Sequence, residues 1–351
     1  MSSLSSLVLV LIFVVAGAAI VAAGIRLANS TDALDTRLGL GSALGGLILL
    51  AFATNLPELA ITVTAAIAGN LGLAVGNLVG GIAVQTVVLV ALDAAGDPER
   101  PMSYLAGSLV LMLEAVLVVS VLIVGIMSTR LPTSVNVAGA SPGSIAIVAV
   151  WIGGLLVIRR AQRGLPWHVD APEARPGRTR QDKRAGKDPQ PMKGHSTVRV
   201  ALVFAAAAAV TLAAGIAIEE SGSELAGRIG LSGAVFGATI LAATTALPEI
   251  ATGLQSVRIG DNNLAFSDIF GGNAFLMVLF LVADLIAGRP ALPGMHDSDL
   301  WMAGLGVVVT VAYLVGVLMR SRRTIARIGP DSVAVLALYA LGIVGLVVIG
   351  S

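Results

Sequence analysis

The sequence predicts an all-α polytopic membrane protein: about ten transmembrane helices in two inverted five-helix repeats, the second and seventh helices broken by proline. Three observations predict it. Of 351 residues, 56% are hydrophobic and only 12% charged, with a mean hydropathy of +0.92, whereas a soluble domain carries about 25% charged residues. Apolar runs long enough to cross a bilayer recur along the whole chain. The segment 39–93 returns, without a gap, as 230–284.

The composition excludes several classes. The apolar residues are too continuous for a soluble enzyme core. Zero Cys excludes disulfides, thiolate metal sites and thiol nucleophiles. A net charge of +1 gives no argument for a nucleic-acid partner. No G-x-x-x-x-G-K-[ST] occurs, so an ATP-driven pump is not supported, and no Ser/His dyad or paired membrane aspartates suggest an intramembrane protease.

The spans read as 5–25, 41–68, 72–92, 103–127, 143–158, 198–218, 231–257, 263–287, 300–319 and 332–350. The second and seventh exceed one crossing, and each has a proline near its middle, Pro57 and Pro248. The first is a retained helix rather than a signal peptide, because no Lys or Arg precedes Arg26. Residues 159–199 hold eleven of the 22 Lys+Arg, and Arg320, Arg322, Arg323 and Arg327 follow the ninth span. Basic loops face the cytoplasm. Both loops then lie inside a plasma membrane, both termini outside, and the acidic loops 219–230 and 288–299 outside. Asp93, Asp97 and Glu99 in the inward loop 93–102 run against this pattern. The domains are a five-helix repeat 1–158, a basic tether 159–197 with no apolar periodicity, and a second five-helix repeat 198–351.

The repeat is the most informative feature. GLGSALGGLILLAFATNLPELA from Gly39 aligns with GLSGAVFGATILAATTALPEIA from Gly230 at a constant offset of 191. Gly80/Gly271, Gly81/Gly272 and Asp93/Asp284 continue the match. Five spans precede the second half, and five is odd, so its copy of the segment crosses the membrane in the opposite sense. Inverted repeats of this kind belong to secondary transporters, whose site lies at the repeat interface near the midplane.

The chemistry concentrates at Thr54-Asn55-Leu56-Pro57-Glu58 and Thr245-Ala246-Leu247-Pro248-Glu249. Proline donates no N–H and clashes with the carbonyl four residues back, Ala53 or Thr244. Freed carbonyls survive in lipid only inside protein or beside a cavity or ion. A carboxylate at mid-span needs a cation or a proton to meet it. Free carbonyls with two opposed carboxylates make an all-oxygen site for a hard cation such as Ca²⁺ or Na⁺. Thr54 and Thr245, four residues before the glutamates, share their helical face.

These segments resemble the α-repeats of the sodium/calcium exchanger family, within the wider cation/Ca²⁺ exchanger superfamily, whose pattern is roughly G-T-S-x-P-E followed by G-N-x-x-G-S-N-x-x-(N/D). The resemblance implies ten helices, a mid-membrane cation site and alternating access by a sliding two-helix gate. Position by position, Glu58 and Glu249 match the central carboxylate ligands, and Thr54 and Thr245 match threonines offering backbone carbonyls. The departures are substantial. The first serine is Asn55 or Ala246, the second is Gly81 or Gly272, and the later acid or amide is Gln85 or Leu276. The G-N dipeptide is Gly76-Asn77 in one copy and Ser267-Asp268 in the other.

The candidate ion-binding residues are therefore Glu58, Glu249, Thr54, Thr245, Asn55, Gln85 and Asp268. Glu114, midway along the fourth span, is either a proton-relay group or a structural carboxyl; its repeat mate is Leu305. Asp93 and Asp284 read as solvated helix ends. The expected function is a secondary cation antiporter exchanging Ca²⁺ for Na⁺ or H⁺ across the lipid bilayer, without a cofactor and without catalysis. A Na⁺/H⁺ exchanger on the same scaffold, or a non-transporting ion-sensing or structural homologue, are the alternatives. The sequence fixes no oligomeric state.

Overall fold

The computed structural model describes residues 3–38, 51–161, 192, 194–230, 236, 240–258, 260 and 262–350. Most of the 159–197 tether and the first halves of the second and seventh spans lie outside the described residues. Apart from two isolated bridges, Val137 with Ala140 and Ile325 with Ile328, the regular structure among the described residues is helical.

Among the described residues eight helices are long and apolar enough to cross a membrane, and two broken segments stand in the second and seventh places of the expected order. The first is Ser6–Leu38; the second is helical from 51, turns at Asn55 and resumes as Leu56–Ile67; the third is Leu71–Ala95. A short helix, Met102–Leu105, precedes the fourth, Leu109–Ser128, and the fifth is Pro142–Ala161. The sixth is Thr197–Arg228. The seventh turns at Ala246 between Ala242–Thr245 and Leu247–Arg258. The eighth, ninth and tenth are Asn262–Ala287, Asp297–Met319 and Pro330–Gly350.

Several boundaries differ from the sequence reading. The first and sixth helices run on past their expected ends, to Leu38 and Arg228, although the apolar stretch of the first, Ser6–Leu27, agrees with the expected span. Glu219, Glu220 and Glu224, assigned to an outward loop, extend the sixth helix. Straight-chain and alanine residues propagate a helix past the hydrocarbon edge, where polar side chains are solvated again. The fourth span starts at Leu109 rather than 103, because Ser108 caps it by accepting from the Val110 N–H at 3.2 Å. Asp297 and Asp299, also assigned to a loop, begin the ninth helix, and Asp299 accepts from the His296 N–H at 2.9 Å.

The core lies among the third, fourth, eighth and ninth spans, where Leu78, Ile82, Leu89, Val121, Phe266, Phe270, Phe280 and Val309 pack together. Burial grades outward. In the third span 89% of the apolar window is buried, against 22% in the fifth and tenth, which turn most of their apolar surface toward lipid. The first and sixth spans pack along one another and reach the rest chiefly through the broken second and seventh spans.

Asp93 and Asp284 are not solvated. Both are buried, and each gathers three donors from two neighbouring segments. Two of the three acids of loop 93–102 are engaged locally. Asp93 is consumed internally, and Asp97 pairs with Arg100 at 2.6 Å. The Glu99 backbone N–H, with Arg100, holds Asp97 below the usual carboxylate range. Arg320 and Arg322 reach back to Tyr104, Arg320 donating to its carbonyl at 2.6 Å and Arg322 to its hydroxyl at 2.7 Å. Loops 93–105 and 320–329 therefore share one end of the bundle.

Candidate cation site at the two helix breaks

The two breaks have the same local geometry. Asn55 sits at φ −87° and ψ 14°, and Ala246 at φ −76° and ψ 2°. Each stands two residues before a proline and opens a helix whose first turn carries the glutamate, Glu58 or Glu249. Hydrogen bonds close around each turn: the Asn55 N–H donates to the Ala51 carbonyl at 3.2 Å, and the Ala246 N–H to the Ala242 carbonyl at 3.1 Å. The proline rings leave the carbonyls of Ala53 and Thr244 without their usual donors. The positive ends of the resumed helices also fall beside the carboxylates.

Six of the seven candidates meet around these breaks. Thr54, Asn55, Glu58, Gln85, Thr245 and Glu249 are all fully buried. The threonines cross over: Thr245 lies against Glu58, and Thr54 against Glu249. That corrects the expectation of one continuous helical face, because the intervening turn swings each threonine toward the other repeat's carboxylate. The glutamates also feel one another electrostatically, and Asp268 acts on Glu249. Asp268 is the seventh candidate. It lies in the second turn of the eighth span, buried, bonded to the Thr252 hydroxyl.

The site is lopsided. On the first-repeat side, Gln85 Nε2 donates to Glu58 Oε1 at 3.1 Å and to Asn55 Oδ1 at 3.4 Å. The second repeat offers Ala246 and Leu276 at the equivalent positions. Glycine makes room for both arrangements. A Cβ at Gly272 would come within 2.9 Å of Asn55 Nδ2, and one at Gly81 within 3.3 Å of Leu276 Cδ1. The two glycines are thus paired with the residues that replace the expected oxygen ligands.

Glu58 Oε2 and both carboxylate oxygens of Glu249 are buried without a hydrogen-bond partner. Asp268 Oδ1 and both side-chain polar atoms of Asn77, the repeat mate of Asp268, are likewise unpartnered. Leaving such groups unmatched costs about 1–3 kcal/mol each, more when charged. Oxygens concentrated this way fit a hard cation. Thr252 stands outside the sequence reading, and Asn77 and Ser267 enter it only as motif positions, not as candidate ligands. Thr252 was legible as the residue one turn after Glu249, and Asn77 as the intact half of the G-N dipeptide. Ser267, which replaces the motif glycine, is a hydroxyl donor to Glu114.

Ten spans in two inverted repeats, each broken where a carboxylate is buried, define a multi-pass membrane transporter of exchanger type. A family model described as sodium/calcium exchanger protein matches residues 8–158 and 199–348. The chain belongs to the sodium/calcium exchanger family. It is 25% identical over 298 residues to CaxA of Alkalimonas amylolytica, named as a candidate antiporter, covering 85% of each chain. It is 24% identical to the inner membrane protein YrbG of Escherichia coli (strain K12), covering 84% of this chain and 83% of that one. Among solved structures, the fold matches the H⁺/Ca²⁺ exchanger CAX with a TM-score of 0.68 at 14% identity, over 97% of this chain and 82% of that one. It matches the sodium-calcium exchanger NCX_Mj with a TM-score of 0.62 at 12% identity, over 97% and 99%.

Proposed function

We propose that the chain is a secondary cation antiporter that moves Ca²⁺ against H⁺ or Na⁺, with Glu58 and Glu249 as the central ligands. The observation that carries this reading is the convergence of the two buried carboxylates, one from each inverted repeat, with three of their four oxygens unpartnered. Thr54, Thr245, Asn55, Gln85 and Asp268 complete the ligand set. The antiporter CaxA and the exchangers CAX and NCX_Mj, as named, support cation exchange as the activity.

The mechanism follows from electrostatics. Two carboxylates in a low-dielectric interior repel one another, and either a divalent cation or protons remove the repulsion. Both cannot do so at once, so occupancy by one ion expels the other, and exchange is coupled. Because each carboxylate sits at a helix break of opposite sense, a modest shift of the first and sixth spans against the bundle opens the site to alternate faces. Of the two counter-ions the proton is favoured. Ala246, Leu276, Gly81 and Gly272 withdraw side-chain oxygens that several Na⁺ ions would need, while a proton needs only a carboxylate.

The bundle lies in the plasma membrane with the 159–197 segment cytoplasmic and both termini outside. The test is flux in proteoliposomes with Ca²⁺, Na⁺ and pH varied independently. Wild-type protein is expected to exchange Ca²⁺, and Glu58→Gln and Glu249→Gln each to abolish exchange while the protein stays folded. Normal exchange in either variant overturns the assignment. Ca²⁺-independent Na⁺/H⁺ exchange in the wild type overturns the ion.

A further inference from the structure

Glu114 is a buried carboxylate that neither the central site nor the Asp93 and Asp284 junctions use. Glu114 sits in the second turn of the fourth span, only 2% exposed. It accepts from the Ser267 hydroxyl of the eighth span at 2.6 Å through Oε2. It also lines a cavity of about 20 Å³ whose other walls include Ala51, Trp151, Ile158 and Gly271. A water needs about 10–15 Å³ of such space, so the cavity is large enough for one, with Glu114 as the polar side chain lining it.

The position of the cavity is specific. Ile158 belongs to the last turn of the fifth span, which ends at Ala161. Glu114 and Ser267 each lie in the second turn after their helices begin. All three therefore lie toward the end of the bundle where the chain runs on into residue 162. The inner wall is Ala51, whose carbonyl accepts from Asn55 Nδ2 at 2.7 Å. The cavity thus stands between that end of the bundle and the first helix break.

A carboxylate this deep must be met by a cation or a proton. Charged and titratable groups on the helices packed against the fourth span are otherwise engaged or distant. On the fifth, Arg159 and Arg160 are exposed in the last turn. On the eighth, Asp268 bonds Thr252, and Asp284 is held near the opposite end. On the ninth, Asp299 accepts from His296, Asp297 opens the helix, and Tyr313 pairs with Ser332. No ion pair to Glu114 forms among the described residues. One carboxyl and one hydroxyl in an apolar wall supply too few oxygens for a hard cation, which takes about six or more. The occupant that fits is a proton.

We propose that Glu114 is a proton-binding site through which the counter-transported proton enters or leaves at the 162 end of the bundle. The O–H bond of the carboxylic acid breaks, the proton passes to the cavity water, and the electron pair stays on Glu114. The Ser267 hydroxyl donates to the carboxylate that remains. The device is one-sided. Its repeat mates are Leu305 and Gly76, neither of which carries or holds an acid, so the opposite face has no counterpart.

This inference rests on proton-coupled exchange, and two readouts separate it from that reading. Infrared pH titration of the purified protein should show a protonated-carboxyl stretch that Glu114→Gln removes and Ser267→Ala shifts. A spectrum unchanged by Glu114→Gln overturns the site. In vesicles of uniform orientation, with pH set separately on each face, Glu114→Gln should flatten the dependence of Ca²⁺ exchange on pH at the 162 face and leave the other face unaltered. Equal flattening on both faces, or on neither, in a wild-type background that exchanges, overturns it. Wild-type vesicles that exchange no cation fail the antiporter reading, while the infrared result still decides Glu114. Calorimetric Ca²⁺ binding and an unchanged melting temperature in Glu114→Gln establish that the variant is folded.

Discussion

Asp93 and Asp284, 191 residues apart, make the same three-way junction in the two repeats. Asp93 accepts from the Met102 N–H at 2.6 Å, the Gly329 N–H at 2.7 Å and the Ser332 hydroxyl at 2.7 Å. Asp284 accepts from the Ala291 N–H at 2.6 Å, the Ser141 N–H at 2.8 Å and the Ser144 hydroxyl at 2.5 Å. In each case the donor amide follows a small bridged turn, Ile325 with Ile328 or Val137 with Ala140. Each aspartate ties the end of a central span to the start of a peripheral one, the tenth or the fifth, and to the loop after its own helix.

Replacing either by asparagine turns an acceptor-only group toward three donors with an NH₂ in place of one oxygen. Charge-assisted hydrogen bonds contribute about 1.5–3 kcal/mol each, so Asp93→Asn and Asp284→Asn should each lower the melting temperature in detergent by several degrees. Asp97→Asn, on an exposed pair, should change it little. Thermal unfolding of the three variants checks this, and equal melting temperatures would refute the junctions.

Gly272 predicts a result that runs against the family pattern. That pattern places serine here, yet a Cβ would stand 2.9 Å from Asn55 Nδ2 and 3.6 Å from Gln85 Oε1. Gly272→Ser should displace Asn55 from Gln85 and weaken Ca²⁺ binding by about tenfold, the equivalent of one lost hydrogen bond of roughly 1.4 kcal/mol. Calorimetric titration reads the affinity. Tighter binding in this variant would mean that the site tolerates the family's serine after all.

Gln85→Leu makes the first repeat resemble the second, where Leu276 stands. It removes the 3.1 Å bond to Glu58 Oε1 and the partner of Asn55 Oδ1. Leaving buried polar atoms unmatched costs about 1–3 kcal/mol, and an apparent Ca²⁺ affinity lower by roughly ten- to a hundredfold is expected. Radiotracer uptake against Ca²⁺ concentration measures it. An unchanged half-saturation would remove Gln85 from the ligand set.

The spans and the breaks were legible because lipid enforces them. Twenty apolar residues, a mid-span proline and a repeated carboxylate leave few alternatives in hydrocarbon. The ends of the first and sixth helices were not legible, since hydropathy marks where a helix leaves lipid and not where its hydrogen bonds stop. Asp93 and Asp284 were misread for a related reason: an acid at a helix end looks solvated until the loop that covers it is placed. The bond between Asp268 and Thr252 was not legible either, because it depends on how the seventh and eighth spans turn toward one another. Pairings across helices, such as Glu114 with Ser267, depend on rotation about each helix axis, which apolar periodicity alone does not set when every face is apolar.

The orientation is directly measurable because the chain has no Cys. A single cysteine at Thr133, in the loop joining the fourth and fifth spans, and another at Arg323, in the loop joining the ninth and tenth, lie at exposed positions at opposite ends of the bundle. An impermeant thiol reagent added to intact cells should label the first and spare the second. The reverse pattern would invert the assigned topology.

Gly24 and Gly215 extend the repeat beyond the motif, again at an offset of 191, and each lies against the break of the other repeat. A Cβ at Gly24 would come within 3.0 Å of Pro248 Cβ; one at Gly215 would meet Ala60 Cβ at 3.3 Å and the Pro57 carbonyl oxygen at 3.4 Å. The first and sixth spans reach the bundle largely through these broken helices, so the two glycines set how closely the pair approaches the carboxylates. Alanine at Gly24 must push the first span from Pro248, and overpacking of this kind costs about 1–3 kcal/mol. Gly17, whose Cβ would have 3.7 Å to Thr244 Cγ2, has room for a methyl group. Gly24→Ala should therefore slow exchange by roughly tenfold or more, Gly215→Ala by a smaller factor, and Gly17→Ala hardly at all. Initial rates in proteoliposomes at matched protein content give the order. Equal rates for Gly17→Ala and Gly24→Ala would mean that the approach of the first span to Pro248 does not limit exchange.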